Sequence, residues 1–305
     1  MHFGFFPAIL DDTAGDVTIR TLDRLDEKIR EVMERDTIEG DWCYAPLQRS
    51  QAFTGDIRIL PYPSRVFALP KTHTLEYAPL DDADHLRFLI QCFGFFVGMR
   101  MSDTEAGFID ATPVKPHKAS DMVWLGNSLM KAIALADRFW CSNVWNPRIH
   151  AALRGVIHSY FLAATPTLLD FERFIYLYVA LEGCHYTRAL ILRQTPARRT
   201  SHRKRVADLC SAYGIAVPFW ADPAASLTTD IVRFRNETLH EGLFFDEPLG
   251  FQVFGGNSAR RPEDEGILLE MSCLISRVIL ALLGMEKSQY VTSPIDTRQM
   301  IGVRI

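Results

Sequence analysis

Beyond residue 120, apolar side chains return every three or four positions in six successive segments, 120–140, 147–163, 167–193, 199–213, 226–240 and 263–285. That is the period of a helix with one buried face. The breaks between them, such as "CSNVWNP", "ATPT" and "RQTPA", carry the residues that end helices. The first 115 residues follow another rule. Short runs rich in β-branched and aromatic residues ("VTIRTL", "DIRIL", "RVFAL", "HTLEYAP") are interrupted by Pro61, Pro63, Pro70 and Pro79, which predicts short strands and loops. Helices are expected there at 22–35 and at 82–99, the second entered through Asp81 or Asp82 as N-cap. Between the two textures lies "DATPVKPHKASD", 110–121, with two prolines and no period. A chain of 305 residues has room for two ordinary domains. The expected architecture is an α+β N-terminal domain over 1–115, followed by an all-α helical bundle over 119–305 with its core at 145–285.

Composition removes several classes of function. Apolar residues make up 48% of the chain, so a core needs neither disulfides nor metal to hold it. A net charge of −4 gives no global attraction to nucleic acid, so any such binding requires a local basic patch. The six cysteines are scattered without a C-x-x-C pair. They are read as reduced core residues of a cytoplasmic protein, with no metal site and no cofactor expected. The N-terminal "MHFGFFPAILDD" lacks a basic n-region and a cleavage site. The apolar stretches 88–99 and 273–285 are too short to span a bilayer, and the second carries Arg277. No membrane partner is expected.

One stretch breaks the helical pattern. In "DIVRFRNETLHEG", 230–242, Leu227, Ile231, Val232, Phe234 and Leu239 fan across one face at about 100° per residue, and Arg235 falls inside that fan. Asn236 and His240 sit together at its edge, four residues apart. A guanidinium on a buried face costs several kcal/mol, on the order of ~3–5, unless it is paired or hydrogen-bonded. Its partner is either structural, a carboxylate such as Glu182 from a neighbouring helix, or a ligand phosphate.

The combination R-N-x-x-x-H at Arg235, Asn236 and His240 resembles the signature of the HEPN superfamily, R-x(4–6)-H with a polar residue after the arginine. The context is similar too: four helical segments occupy 167–285 and the motif closes the third. "RFIYLYVALEGCHYTRALI" looks like the first long helix of bacterial HEPN modules that follow a variable N-terminal domain. The resemblance covers about 145–285 and says nothing of the first 115 residues. It implies metal-independent cleavage of RNA through the 2′-hydroxyl, in a toxin or phage-defence context, at a composite site between two paired copies.

The residue types suit that chemistry. Histidine serves as acid or base near neutral pH, and arginine's fork matches phosphoryl oxygens without losing its charge. Asn236 would orient one of them. Arg235 and His240 lie roughly 140° apart on a regular α-helix, so convergence is easier across a two-fold axis, with two chains supplying two histidines. A tyrosine two residues after the histidine, present in HEPN toxins regulated by nucleotidyltransferase antitoxins, is replaced here by Gly242. Control by modifying that tyrosine is therefore not expected, although an antitoxin or another regulatory partner is compatible with the resemblance. The alternatives are a non-catalytic HEPN-like module that binds RNA or nucleotide or dimerises, and a coincidental motif in a helical interaction protein.

Other candidates carry less chemistry. Arg193 and the run "RRTSHRKR", 198–205, offer Arg198, Arg199, Arg203, Lys204 and Arg205 as an RNA-backbone track, or form a solvated helix start. Glu182 is expected to be largely buried, pairing with Arg235 or Arg277, and His185 to lie on the same face as a satisfied core histidine. His150 and His158 lack a third ligand. "FGGNSARR", 254–261, fits no phosphate-binding fingerprint. Trp140, Trp145 and Trp220 are assigned to the core.

Overall fold

In the first unit, Val17 and Ile19 alternate with Thr18 and Arg20, and only the apolar pair is fully buried. A computed structural model describes residues 1–35, 37–78, 82–104, 107–108, 110–194, 200–225, 229–241, 266–296 and 300–305. The chain divides into two units, Met1–Ser120 with Asn127–Arg138, and Asp121–Gly126 with Phe139–Ile305.

The first unit contains β1 (His2–Phe3), β2 (Asp12–Ala14), β3 (Val17–Thr21), α1 (Leu25–Met33), β4 (Ile38–Glu39), β5 (Trp42–Cys43), β6 (Leu47–Gln51), β7 (Ile57–Pro63), β8 (His73–Tyr77) and α2 (Ala83–Phe96). An antiparallel sheet in the order β1-β8-β3-β2 packs its inner residues, Phe3, Val17, Ile19 and Leu75, with the Phe-rich face of α2. Phe93 meets Phe3 and Phe6 edge-on at 5.5 and 5.3 Å. Asp82 caps α2, its carboxylate accepting from the amides of Asp84 and His85 at 3.0 and 3.3 Å; Asp81 lies outside the described residues. "RVFAL" is not a strand. Phe67 makes a single bridge to Phe108, because Pro63 and Pro70 on either side cannot donate to a ladder.

The second unit is mainly α. It holds β9 (Met122–Trp124), α4 (Pro147–Ala163), α5 (Asp170–Ile191), α6 (His202–Tyr213), α7 (Asp230–Asn236), α8 (Ile267–Leu280), α9 (Gln289–Thr292) and β10 (Ile301–Val303), while α3 (Ser128–Ser142) starts in the first unit and ends in the second. The expected helix over 120–140 therefore begins late. Its first residues form β9, paired in parallel with β10 at the register Met122–Ile301, so this part of the chain is not all-α.

Asn146 caps α4, with Pro147 at the first helical position. Gly214, at φ 66°, ends α6. The helix from Ile267 through a π turn ending at Met285 is long and apolar enough to cross a bilayer, and 72% of it is buried inside the protein.

Helices α4, α5 and α8 form the centre, with Leu153, Val156, Leu177, Leu181, Leu274 and Val278 buried. Two glycines in this region have opposite roles. A Cβ on Gly183 would come within 2.6 Å of Val156 Cγ2, so α4 and α5 need hydrogen at that crossing; Gly155 faces open space. Gly183→Ala is expected to cost about 1–3 kcal/mol despite its better helix propensity. Gly155→Ala should instead gain about 0.5–1 kcal/mol. Urea-unfolding midpoints of the two variants check the signs.

Candidate functional site

Helix α7 carries two arginines with different surroundings. Arg233 reaches Asp230 at 3.3 Å and Glu237 at 3.5 Å, and its guanidinium lies 4.3 Å over the Phe234 ring. Arg235 is half-buried. Its Nη1 donates to Asn236 Oδ1 at 2.9 Å, and its buried Nε has no acceptor among the described residues. No described carboxylate pairs with it. Of the expected apolar fan, Ile231 and Phe234 are buried and Val232 is half-buried; Leu239 is exposed and Leu227 lies outside the described residues.

After Asn236 the helix widens into a π turn over Glu237–Glu241, with bonds from residue i to i+5. Single π turns occur often at functional sites. In such a turn residue i+5 comes round over residue i, so the angle between Arg235 and His240 is smaller than the roughly 140° of a regular α-helix. His240 is exposed on this turn. Among the described residues no hydrogen bond joins it to Arg235 or Asn236.

Glu182, on α5, pairs with neither Arg235 nor Arg277. Arg205 and His202, both from α6, hold it: Arg205 Nη1 donates to Oε2, and His202 Nδ1 lies 3.3 Å from Oε1. Its side chain is 28% exposed, half-buried rather than enclosed. Tyr178, one turn earlier on α5, places its hydroxyl 2.6 Å from the same Nδ1. Burial first, then the Glu182 carboxylate, pushes the Tyr178 phenol above its ordinary range against the pull of Arg235 and Arg205. Tyr178 thus stays protonated, and the charge of Arg235 reaches it.

A run of rings spans the same helices. Phe234 meets Phe174 at 6.1 Å, Phe174 meets Tyr178 at 5.9 Å, and Tyr178 meets His202 at 6.2 Å. His185 is buried, but it is not a satisfied core histidine, since its Nδ1 has no partner among the described residues. Burial, reinforced by the Arg205 charge, lowers its pKa.

Two cations of the basic run, Arg203 and Arg205, are committed inside the protein. Arg205 also donates to the Thr200 carbonyl at 3.1 Å, and its side chain is 13% exposed. Arg203 donates to the Pro223 carbonyl, whereas Lys204 is exposed. Arg193 stacks 4.6 Å over Trp145. Arg198 and Arg199, with the 254–261 loop, lie outside the described residues.

Trp145 is half-exposed rather than core. Trp220 is buried and donates to Glu270 at 2.8 Å. Trp140 stacks on His150 at 3.9 Å, and its carbonyl lies 3.1 Å from His150 Nε2, so His150 is occupied structurally. All six thiols are free; five are buried, and Cys141 is exposed at the end of α3, against the expectation of a core residue. Among the described residues no three His, Cys, Asp or Glu side chains group as metal ligands.

Sequence reasoning missed Tyr178, His202 and the π turn. Spacing did hold a signal for the first two: Tyr178 and Glu182 are four apart on α5, and His202 and Arg205 three apart on α6.

No family model, curated protein or solved structure matches this chain. Its chemistry has to be argued from its own residues.

Proposed function

We propose that the chain is a metal-independent endoribonuclease of HEPN type, with a HEPN-like bundle over α5 to α8. The observation that carries this reading is Arg235: a guanidinium with no carboxylate among the described residues, bonded to Asn236, on the helix that continues through a π turn to an exposed His240. A phosphoryl oxygen would complete the Arg235 fork. His240 would supply proton transfer and Asn236 would hold the guanidinium in place. The order of helices, with the motif closing the third of four, supports the same reading. RNA is the substrate, and a second copy of the chain would complete the site. The N-terminal unit then senses a trigger, restrains the nuclease or selects RNA. A toxin or phage-defence role in the cytoplasm, with an antitoxin or other regulator, follows from the resemblance alone.

The test is incubation of the purified protein with mixed cellular RNA in excess EDTA, beside His240→Ala and Arg235→Ala. Cleavage leaving 2′,3′-cyclic phosphate ends is expected, with each variant reduced about 10²–10⁴-fold and still folded. If wild-type protein and His240→Ala give identical RNA profiles, also with phage lysate or nucleotide signals added, the nuclease reading falls and a binding or dimerisation module takes its place.

A further inference from the structure

Two open hollows meet at the foot of the β6–β7 ribbon in the first unit. The larger, about 550 Å³, is bordered by Gln48 and Arg49 on β6 and by Ser64 and Arg65 just past β7. The smaller, about 330 Å³, is bordered by Thr37, Glu39, Tyr44 and Ile59. Pro46, Leu47 and Arg49 border both, so the two adjoin. Their volumes are those of small-molecule sites, about 300–1,000 Å³.

The walls are held by the main chain. The Ser64 amide donates to the Pro46 carbonyl at 2.7 Å, and the Tyr44 amide to the Thr37 carbonyl at 2.9 Å. Cys43, beside Tyr44, exchanges bonds of 2.8 and 3.1 Å with Val114. Within the ribbon the register shifts between Leu47 and Arg49, which pair with Pro63 and Ile59, and Pro61 and Pro63 have no amide to close the ladder.

The larger hollow is built for an anion. Arg49 and Arg65 are exposed, and among the described residues neither pairs with a carboxylate. No carboxylate borders this hollow, and Glu39 in the smaller one makes no ion pair with Arg49. Two like charges around one space repel, and a phosphate between them relieves the repulsion and completes both forks. The Ser64 oxygen accepts from the Val66 amide at 3.2 Å, which leaves its O–H proton to donate.

The smaller hollow suits a flat ring. Tyr44, Pro46, Leu47 and Ile59 are its apolar lining, and Glu39 and Thr37 supply polar groups. An ionised carboxylate can only accept, and guanine is the base that turns two adjacent N–H groups toward one carboxylate.

We propose that the joined hollows are a nucleotide site, with phosphate between Arg49 and Arg65, the base against Tyr44 and Ile59, and guanine preferred through Glu39. The ligand is a free nucleotide or one nucleotide unit of single-stranded RNA, which share this chemistry. The first unit then senses in the one case and selects RNA in the other.

The experiment is titration calorimetry of the full chain with guanosine 5′-monophosphate, its adenine counterpart, guanosine and inorganic phosphate. The guanine nucleotide should bind tightest, with guanosine and phosphate each weaker by about 10-fold or more. Arg49→Ala and Arg65→Ala should each weaken it about 10–100-fold. Arg49→Lys and Arg65→Lys, which keep the charge without the fork, should fall between. Glu39→Gln should lose the preference for guanine over adenine. A 2′-O-methyl oligoribonucleotide, which cannot be cut through its 2′-oxygen, separates the sources. If its Arg49-dependent binding is tighter than that of the mononucleotide, the ligand is strand RNA; if weaker, a free nucleotide.

No saturable binding of the mononucleotide at millimolar concentration overturns the proposal. So does equal affinity in wild type, Arg49→Ala and Arg65→Ala, with urea midpoints showing all three folded; loss in Arg235→Ala alone would put the ligand on α7 instead. Inorganic phosphate bound as tightly as the nucleotide also overturns it and leaves an anion site. None of these readouts uses cleavage, so this site and the ribonuclease reading stand or fall separately.

Discussion

Arg277→Ala should be among the most destabilising single changes in this protein, costing about 3–5 kcal/mol. Arg277 is fully enclosed on α8 and bonds its own helix and two other parts of the second unit, Asp121 and the segment Ser293–Pro294. It donates to the carbonyls of Cys273 and Pro294 at 3.0 Å, to Ser293 Oγ at 3.2 Å and to the Ser293 carbonyl at 3.3 Å, and it faces Asp121 at 3.5 Å. Its guanidinium lies 4.6 Å over the Tyr290 ring, and Tyr290 in turn donates to Asp121 and contacts Ser276 at 2.9 Å. Truncation strands the Ser293 and Pro294 carbonyls and half of the Asp121 compensation in a closed space and opens a cavity besides. Arg277→Met, which fills the volume without donors, should cost less than alanine. In a double-mutant cycle with Asp121→Asn the two losses should fall short of additive by about 0.5–3 kcal/mol. Urea unfolding measures all of these, and a loss below about 1 kcal/mol for Arg277→Ala would show that the network is not what holds α9 and the C-terminal segment to α8.

The second large effect is on stability against pH, which should fall on both sides of a plateau between about 6.5 and 9. On the alkaline side burial raises the thiols of Cys43 and Cys273 from 9.0 to about 11 and that of Cys210 to about 12, and moves Cys184 the same way. Burial also raises the phenol of Tyr213 from 10.0 to about 12, and pushes Tyr160, Tyr178 and Tyr290 upward. A group whose folded pKa lies above its unfolded value contributes fully below the unfolded value and loses that contribution as pH climbs to the folded one. All eight act in the same direction, so by pH 11 the summed loss is on the order of several kcal/mol.

On the acid side burial lowers His73, His85 and His185 from 6.5. Their contribution is present above 6.5 and is lost as pH falls through the lowered values, because the unfolded chain takes up protons that the native one refuses. Urea midpoints measured from pH 5 to 11 test this, and a curve flat above pH 9 would contradict it.

What was legible in the sequence was whatever depends on neighbours along the chain. Asn146–Pro147 announces α4 and Asp82 announces α2, because a cap acts on amides two or three residues away. The segment Met122–Trp124 was read as helix because its partner, Ile301–Val303, lies near the other end of the sequence and leaves no local trace. Pairings between helices were hidden for a similar reason. Glu182 had Arg235 and Arg277 as plausible partners, and only the register of α6 on α5 selects Arg205 and His202. Within "RRTSHRKR" the imidazole of His202 was submerged in a run of charge, and the inward arginines could not be told from the outward lysine.

The π turn separates two quantities that a sequence motif merges, the count of residues between two side chains and their phase around the helix axis. Four residues between Arg235 and His240 in a wound-out turn approach the phase that three would give in a tight one. Whether the two side chains can meet is then decided by an angle, and a change of winding alters it as surely as a change in the residue count does. A pattern written with a variable gap describes, on this view, a single geometry reached through several pitches of the main chain.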